Sequence, residues 1–349
     1  MRKSRALLIM ITFLMLALTS CSASQKSNGT ADPGEQDKIV LKYHNYAPRA
    51  SIDEPMVWWA EEVSKRSGVK IEYEFYWAGA LAGAEDNLNA LSAGAFDVTW
   101  ISPMLHPGQT PYLAVANSLP LITSDVEAAT AACNELATEG PGKTELEKFN
   151  VKYLFATAPW QYHLLSTKPI NSLNDIKGFK ARTFGNLSIV WQKLGGMPVT
   201  MTIPEVYSAL QSGLIDGNLS MPSGFVSTKG YEIAKHYIPM TGLAVLPSPF
   251  LMNMNTWNKL PSNVQAAMLE VAQEMPGHVA EIVESEEAAA IEKLKQNGVK
   301  IYEMPPDIEA QFEAIKDEVW KEAGENMNKL GLPGSEVVTT WVELVKKHS

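Results

Sequence analysis

One eight-residue pattern occurs twice in the chain and narrows its folds more than any other feature. ALSAGAFD (90–97) and ALQSGLID (209–216) both read A-L-x-x-G-x-x-D. In each copy apolar residues at helical spacing (Ala84, Leu88 and Leu91; Val206, Ala209 and Leu210) can bury one helix face. Gly94 and Gly213 then supply the left-handed turn that stops the helix. An apolar strand start follows, Phe96 and Val98 in one copy and Leu214 and Ile215 in the other. The match extends upstream. KIVLKYHNYAP reads as a strand, DEPMVWWAEEVSKRSG as a helix capped by Asp53, and VKIEYEFYW as a strand. In the second copy GFKARTF is a strand, NLSIVWQKLGG a helix closed by glycine, and MPVTM a strand, with Pro204 opening the next helix. Each half is therefore strand–helix–strand–helix–strand, the unit of a mostly parallel sheet with helices on both faces. The pattern predicts an α/β protein of two lobes.

Two such lobes define a cleft, and open parallel sheets bind ligands beyond the carboxyl ends of their strands. In IKGFKARTFGN (176–186), Phe179, Ala181 and Thr183 alternate with Lys180, Arg182 and Phe184, the period of a half-buried strand. Arg182 falls at the carboxyl end of that strand, and its counterpart in the first lobe is Asn45-Tyr46-Ala47. A helix beginning near Asn186 would turn its unpaired N–H groups to the same place. Fork and helix terminus together suit a carboxylate or sulfonate; the competing reading is a surface arginine paired with a nearby acid. Tyr46, Trp77, Trp100, Trp160, Tyr162 and Phe184 fall at or near predicted strand ends, where packing and ligand stacking are both open to them. The segment 262–298 reads as one long helix bent at Pro276-Gly277, long enough to span both lobes.

The first twenty residues belong to no fold. Arg2, Lys3 and Arg5 precede an apolar run too short to span a bilayer, and the run ends in Leu18-Thr19-Ser20-Cys21. That ending resembles the lipobox of bacterial lipoproteins, in which the cysteine becomes the lipidated first residue. Residues 21–38 are polar and read as a flexible tether. Beyond Cys21 only Cys133 remains, so no internal disulfide is available and a large core must hold the exported chain together. Cys133 lies in an alanine-rich helix and is expected to be buried. The net charge of −10, more negative still without the basic leader, argues against nucleic acid and against a basic membrane-binding face. The six histidines lie at no ligand spacing, and no P-loop, G-x-S-x-G or G-x-G-x-x-G is present. No metal, cofactor or catalytic residue is expected.

Four segments carry a family likeness: GALAGAEDNLNALSAGAFDV, LNDIKGFKARTF, GGMPVTMTIPEVYSALQSGLIDG and PFLMNMNTWNKLP. They resemble the extracytoplasmic solute-binding proteins of TRAP transporters, the DctP family, over nearly the whole chain from Ile39. The resemblance implies a periplasmic-binding-protein-like fold of type II, a long interlobe helix and delivery of an organic acid to a sodium-driven permease pair. Its substrate-clamping arginine falls on Arg182. Where many members carry an acid and an asparagine after the aspartate-glycine, this chain has Asn218-Leu219-Ser220-Met221, so Asn218 and Ser220 are the nearest polar candidates. Where diacid binders often place a second basic residue, it has Tyr162-His163. The combined expectation is a non-enzymatic receptor, anchored outside the cytoplasm through Cys21. It would bind a monocarboxylate or sulfonate, aromatic bodies included, with Arg182, Asn186, Phe184, Trp160, Tyr162, Asn218, Ser220, Tyr46, Asn45 and Trp77. Residues 39–160 and 250–285 form lobe I in this reading, and 161–249 and 286–349 lobe II. An ABC-type or chemosensory receptor and an exported hydrolase are the rival readings.

Overall fold

The computed structural model describes residues 38–47, 49, 53–158, 161–201 and 203–349. The leader, Cys21, most of the tether and Trp160 lie outside the described residues. Lys38, read as the end of the tether, is the first residue of a strand. The first repeat folds as β1 (Lys38–His44), α1 (Glu54–Ser67), β2 (Lys70–Tyr76), α2 (Asn87–Ala93) and β3 (Val98–Trp100). Next come α3 (Pro111–Ala116), α4 (Val126–Thr138), α5 (Pro141–Leu146), β4 (Val151–Thr157) and β5 (His163–Ser166). The second repeat gives β6 (Lys180–Thr183), α6 (Leu187–Lys193), β7 (Met197–Thr200), α7 (Val206–Ser212) and β8 (Gly217–Ser220). It is followed by α8 (Pro222–Ser227), β9 (His236–Ile238) and β10 (Ser248–Asn253). The chain ends with α9 (Met254–Trp257), α10 (Ser262–Ala272), α11 (Met275–Gln296), β11 (Lys300–Ile301), α12 (Pro306–Lys329) and α13 (Gly334–His348).

Two sheets result, ordered β2-β1-β3-β10-β4 and β11-β9-β5-β8-β6-β7. The two repeats occupy equivalent places, β2-β1-β3 and β7-β6-β8, all parallel. The repeated aspartate has the same task in both. Lys42 N–H donates to Asp97 Oδ2 at 2.8 Å while Asp97 N–H donates to the Lys42 carbonyl at 3.0 Å. Lys180 and Asp216 repeat this exchange at 2.9 and 2.7 Å. Each aspartate thus locks the start of the third strand beside the first. The glycine before it takes φ of +82° at Gly94 and +72° at Gly213, a conformation that costs other residues strain.

Each repeat is completed by a strand from elsewhere in the chain. β10 runs antiparallel beside β3, and β5 antiparallel beside β8. The chain therefore changes sheet twice, between β4 and β5 and again between β9 and β10. Two long helices also join the lobes. α11 places Met275, Val279 and Val283 in the core of the first sheet and Leu294 in that of the second. α12 begins with Ile308, Phe312 and Ile315 in the second core and reaches the first at Ala323.

Three expectations need correction. The segment 262–298 is two helices, interrupted at Gln273-Glu274, and Pro276 lies in the first turn of α11, where its missing N–H costs nothing. Asp53 stands at the start of α1, but its carboxylate accepts from Tyr43 OH at 2.5 Å and Asn45 Nδ2 at 2.9 Å. Within 286–349, α13 packs with the first lobe: Val337, Trp341 and Val345 share a core with Leu113 and Leu136. Its amphipathic face finds that core because α12 has already carried the chain back. Cys133 is buried as expected, and burial pushes its thiol up to about 12.

Candidate functional site

Between the sheets lies a cavity of about 520 Å³ whose wall includes the carboxyl ends of the repeat strands. Arg182 enters it from β6. Alternation works as the sequence predicts: Ala181 and Thr183 are fully buried in the second lobe, and Arg182 faces the other way. The guanidinium is only 8% exposed, yet among the described residues no carboxylate forms an ion pair with it. Nε donates to the Met201 carbonyl at 3.3 Å and Nη1 to the Leu219 carbonyl at 3.4 Å. Three of the roughly five guanidinium N–H groups are then free for a ligand. Burial lowers its pKa from the ordinary arginine value, and a buried charge of this kind gains strongly from an anionic partner.

Aromatic pairs flank the cation on both sides. Phe184 lies under the Arg182 guanidinium at 5.0 Å and packs tilted against Tyr162, ring centroids 5.2 Å apart. Across the cavity Tyr46 stacks on Trp100 at 5.1 Å. Burial pushes the Tyr162 phenol up to about 12 and raises the Tyr46 phenol as well, so both are neutral donors at physiological pH. Asn218 and Ser220 on β8 project to the same side as Arg182 and line the cavity.

Three of the residues expected here serve elsewhere. Asn45 is held by Asp53, and its Oδ1 accepts from Ala47 N–H at 2.9 Å, so it shapes the turn that presents Tyr46. Trp77 stacks on Phe75 at 5.1 Å and packs on Tyr43. Asn186 precedes α6, but its side chain donates to the Ser118 carbonyl at 3.3 Å, away from the cavity wall. The short α6 adds no anion site of its own.

Sequence reasoning missed the polar wall of the first lobe. Ser102 Oγ donates to Asn117 Oδ1 at 2.9 Å, and Asn117 Nδ2 donates to Ser248 Oγ at 2.8 Å. All three line the cavity. They come from three separate segments with no shared spacing, so only the fold brings them together. Arg49 also reaches the wall but is tied to Glu54 at 3.0 Å and is largely solvated. Among the described residues no group of three or more His, Cys, Asp or Glu could hold a metal ion.

Two α/β lobes joined by crossing strands, with a buried cation between aromatic walls, define a periplasmic solute-binding protein. Residues 44–326 match the model of the bacterial extracellular solute-binding proteins of family 7, DctP, and the chain belongs to that family. The C4-dicarboxylate-binding periplasmic protein DctP of Rhodobacter capsulatus is 26% identical over 84% of this chain and 89% of its own length. A TRAP periplasmic solute-binding protein from Desulfovibrio salexigens superposes with a TM-score of 0.76 at 28% identity, covering 88% of this chain and 96% of that one. It was solved open, with the C-terminus of a symmetry mate in its ligand-binding site. A TRAP solute-binding protein from Rhodoferax ferrireducens, in complex with copurified benzoate, gives a TM-score of 0.72 at 25% identity over 89% of this chain and 98% of its own. The protein is thus a TRAP-type extracytoplasmic receptor for small organic ligands. Among the described residues no helix is long and apolar enough to cross a membrane.

Proposed function

We propose that the protein is a lipid-anchored receptor that binds a small organic acid between its lobes and hands it to a sodium-coupled TRAP permease. The ligand is a monocarboxylate or sulfonate with a partly apolar body, aromatic bodies included. One observation carries this reading: Arg182 is buried in the cavity with no acid to neutralise it. A ligand anion supplies the missing charge, and closing the lobes strengthens the pair by excluding water. The stacked Tyr46 and Trp100 and the tilted Tyr162 and Phe184 offer flat apolar faces to the rest of the ligand.

A single acid group is favoured over two. The other cation on the wall, Arg49, already has Glu54, and His163 is buried and neutral, its pKa pulled down to about 4 by burial. The relative with copurified benzoate and the one holding a peptide C-terminus both accept a carboxylate in their sites. Lobe I in this account is 39–160 and 250–285 with α13 added, and lobe II is 161–249 with 286 to the end of α12. The reaction is binding without turnover.

A thermal-shift screen of organic acids tests the proposal. Monocarboxylates or sulfonates should raise the melting temperature in proportion to the logarithm of their concentration above Kd. A screen in which only uncharged solutes or diacids stabilise the protein would reject it.

A further inference from the structure

Two polar atoms in the cavity wall are sealed from water and have no hydrogen-bond partner: Asn218 Oδ1 on the second sheet and Trp100 Nε1 on the first. Asn218 is 2% exposed and sits in the middle of a sheet, where an apolar side chain of similar size would avoid the penalty of an unpaired acceptor. Its position is specific. Asn218 is the register partner of Arg182 on the adjacent parallel strand, so both side chains leave the sheet on one face. The hydrogen bond from Arg182 Nη1 to the Leu219 carbonyl draws the guanidinium onto β8, the strand that carries Asn218.

We propose that Asn218 selects the ligand: the organic acid bears a hydroxyl on the carbon next to its carboxylate, and that hydroxyl donates to Asn218 Oδ1. The inference rests on the reading of Arg182 as the anion clamp. Neighbouring strands are ~4.8 Å apart, a separation that a 2-hydroxy acid spans with its carboxylate on Arg182 and its hydroxyl on Asn218. A hydroxyl several carbons away would be carried past the acceptor. A hydroxyl is donor and acceptor at once, so its lone pairs suit Trp100 Nε1–H on the opposite wall. An acid without the hydroxyl leaves Asn218 unpaired. A 2-oxo acid sets one acceptor against another and binds no better.

Calorimetric titration with matched acids tests the proposal. Lactate, propionate and pyruvate form one set; mandelate, phenylacetate and phenylglyoxylate form the other. In the set that fits the cavity, the 2-hydroxy acid should bind about tenfold to hundredfold more tightly than its deoxy and oxo partners. In Asn218→Leu that ratio should fall to near one, and the variant should melt no lower than the wild type because an unpaired acceptor has been removed. Arg182→Lys should weaken every member of the set and preserve the ratio. Equal binding of hydroxy and deoxy acids, or a ratio that survives in Asn218→Leu, would overturn the assignment and leave an Arg182-dependent receptor intact. Tighter binding of the 2-oxo acid would mean that the amide presents its NH2 group, and would also overturn it. If no acid of either set binds the wild type, both this inference and the proposed monoacid ligand fail.

Discussion

At the residue scale, side chains whose role depends on local alternation could be read from the sequence. Arg182 and Phe184 were legible because Phe179, Ala181 and Thr183 mark the buried face of their strand. Asn45, Trp77 and Asn186 lie where strand-end reasoning points, but each is captured by a neighbour that sequence spacing does not reveal: Asp53, Phe75 and Ser118. His163, singled out only as the place of an absent second cation, has a structural role. It is 5% exposed, and its Nδ1 accepts from Met240 N–H at 2.9 Å beside the second change of sheet. Burial lowers its pKa from 6.5 to about 4. The unfolded chain therefore takes up a proton between those values before the folded one does. Stability from this group is complete above pH 6.5 and is lost as the pH falls toward 4. Nearby Glu287, on α11, is pushed the opposite way, up to about 6, chiefly by burial, and so favours the folded state as acid is added. The two effects overlap and oppose, so the histidine must be isolated by substitution. In His163→Gln, whose carbonyl can still accept from Met240, urea unfolding should lose an acid-dependent destabilisation of about 3 kcal/mol between pH 7 and 4. Parallel stability curves for variant and wild type would show that His163 titrates normally.

At the element scale, the repeats were legible because strand, helix and stop signals are short-range. The elements that close each sheet were not. β5 and β10 are ordinary apolar strands, and nothing in LLS or PFLM states which sheet will receive them. The docking of α13 is equally long-range and depends on a close helix crossing. A Cβ added to Gly334 would lie 2.0 Å from the Gly324 carbonyl oxygen and 2.8 Å from its carbon, both backbone atoms. Neither can move without shifting α12. Gly334→Ala should therefore destabilise the protein by about 1–3 kcal/mol, the usual scale of overpacking, seen as a lower urea midpoint with an unchanged m-value. A midpoint equal to wild type would mean that the two helices can part at that crossing without loss. The interruption at Gln273-Glu274 was missed for a different reason: apolar periodicity continues through it, and proline drew attention three residues too late.

At the scale of the whole molecule, the account describes two lobes that close on an anion. The chain crosses between sheets at 158–162 and 239–247, close to the hinges expected at 158–164 and 246–252. Saturation with an acid found by screening should lower the radius of gyration in small-angle scattering, and superimposable curves with and without that acid would refute closure. Anchoring is a separate claim about the same molecule. Cells expressing Cys21→Ala should release the protein or retain it uncleaved, whereas the wild type fractionates with membranes and labels with fatty acid; an unlabelled, soluble wild type would remove the anchor. The most direct test of the central claim is calorimetric titration of Arg182→Ala with the acid that binds the wild type best. Losing one partner of a desolvated charge pair costs about 2–5 kcal/mol, so Kd should rise at least about thirtyfold. Thermal stability of the unliganded variant should hardly change, because among the described residues Arg182 has no carboxylate partner to lose. Near-wild-type affinity in a folded Arg182→Ala protein would contradict the account.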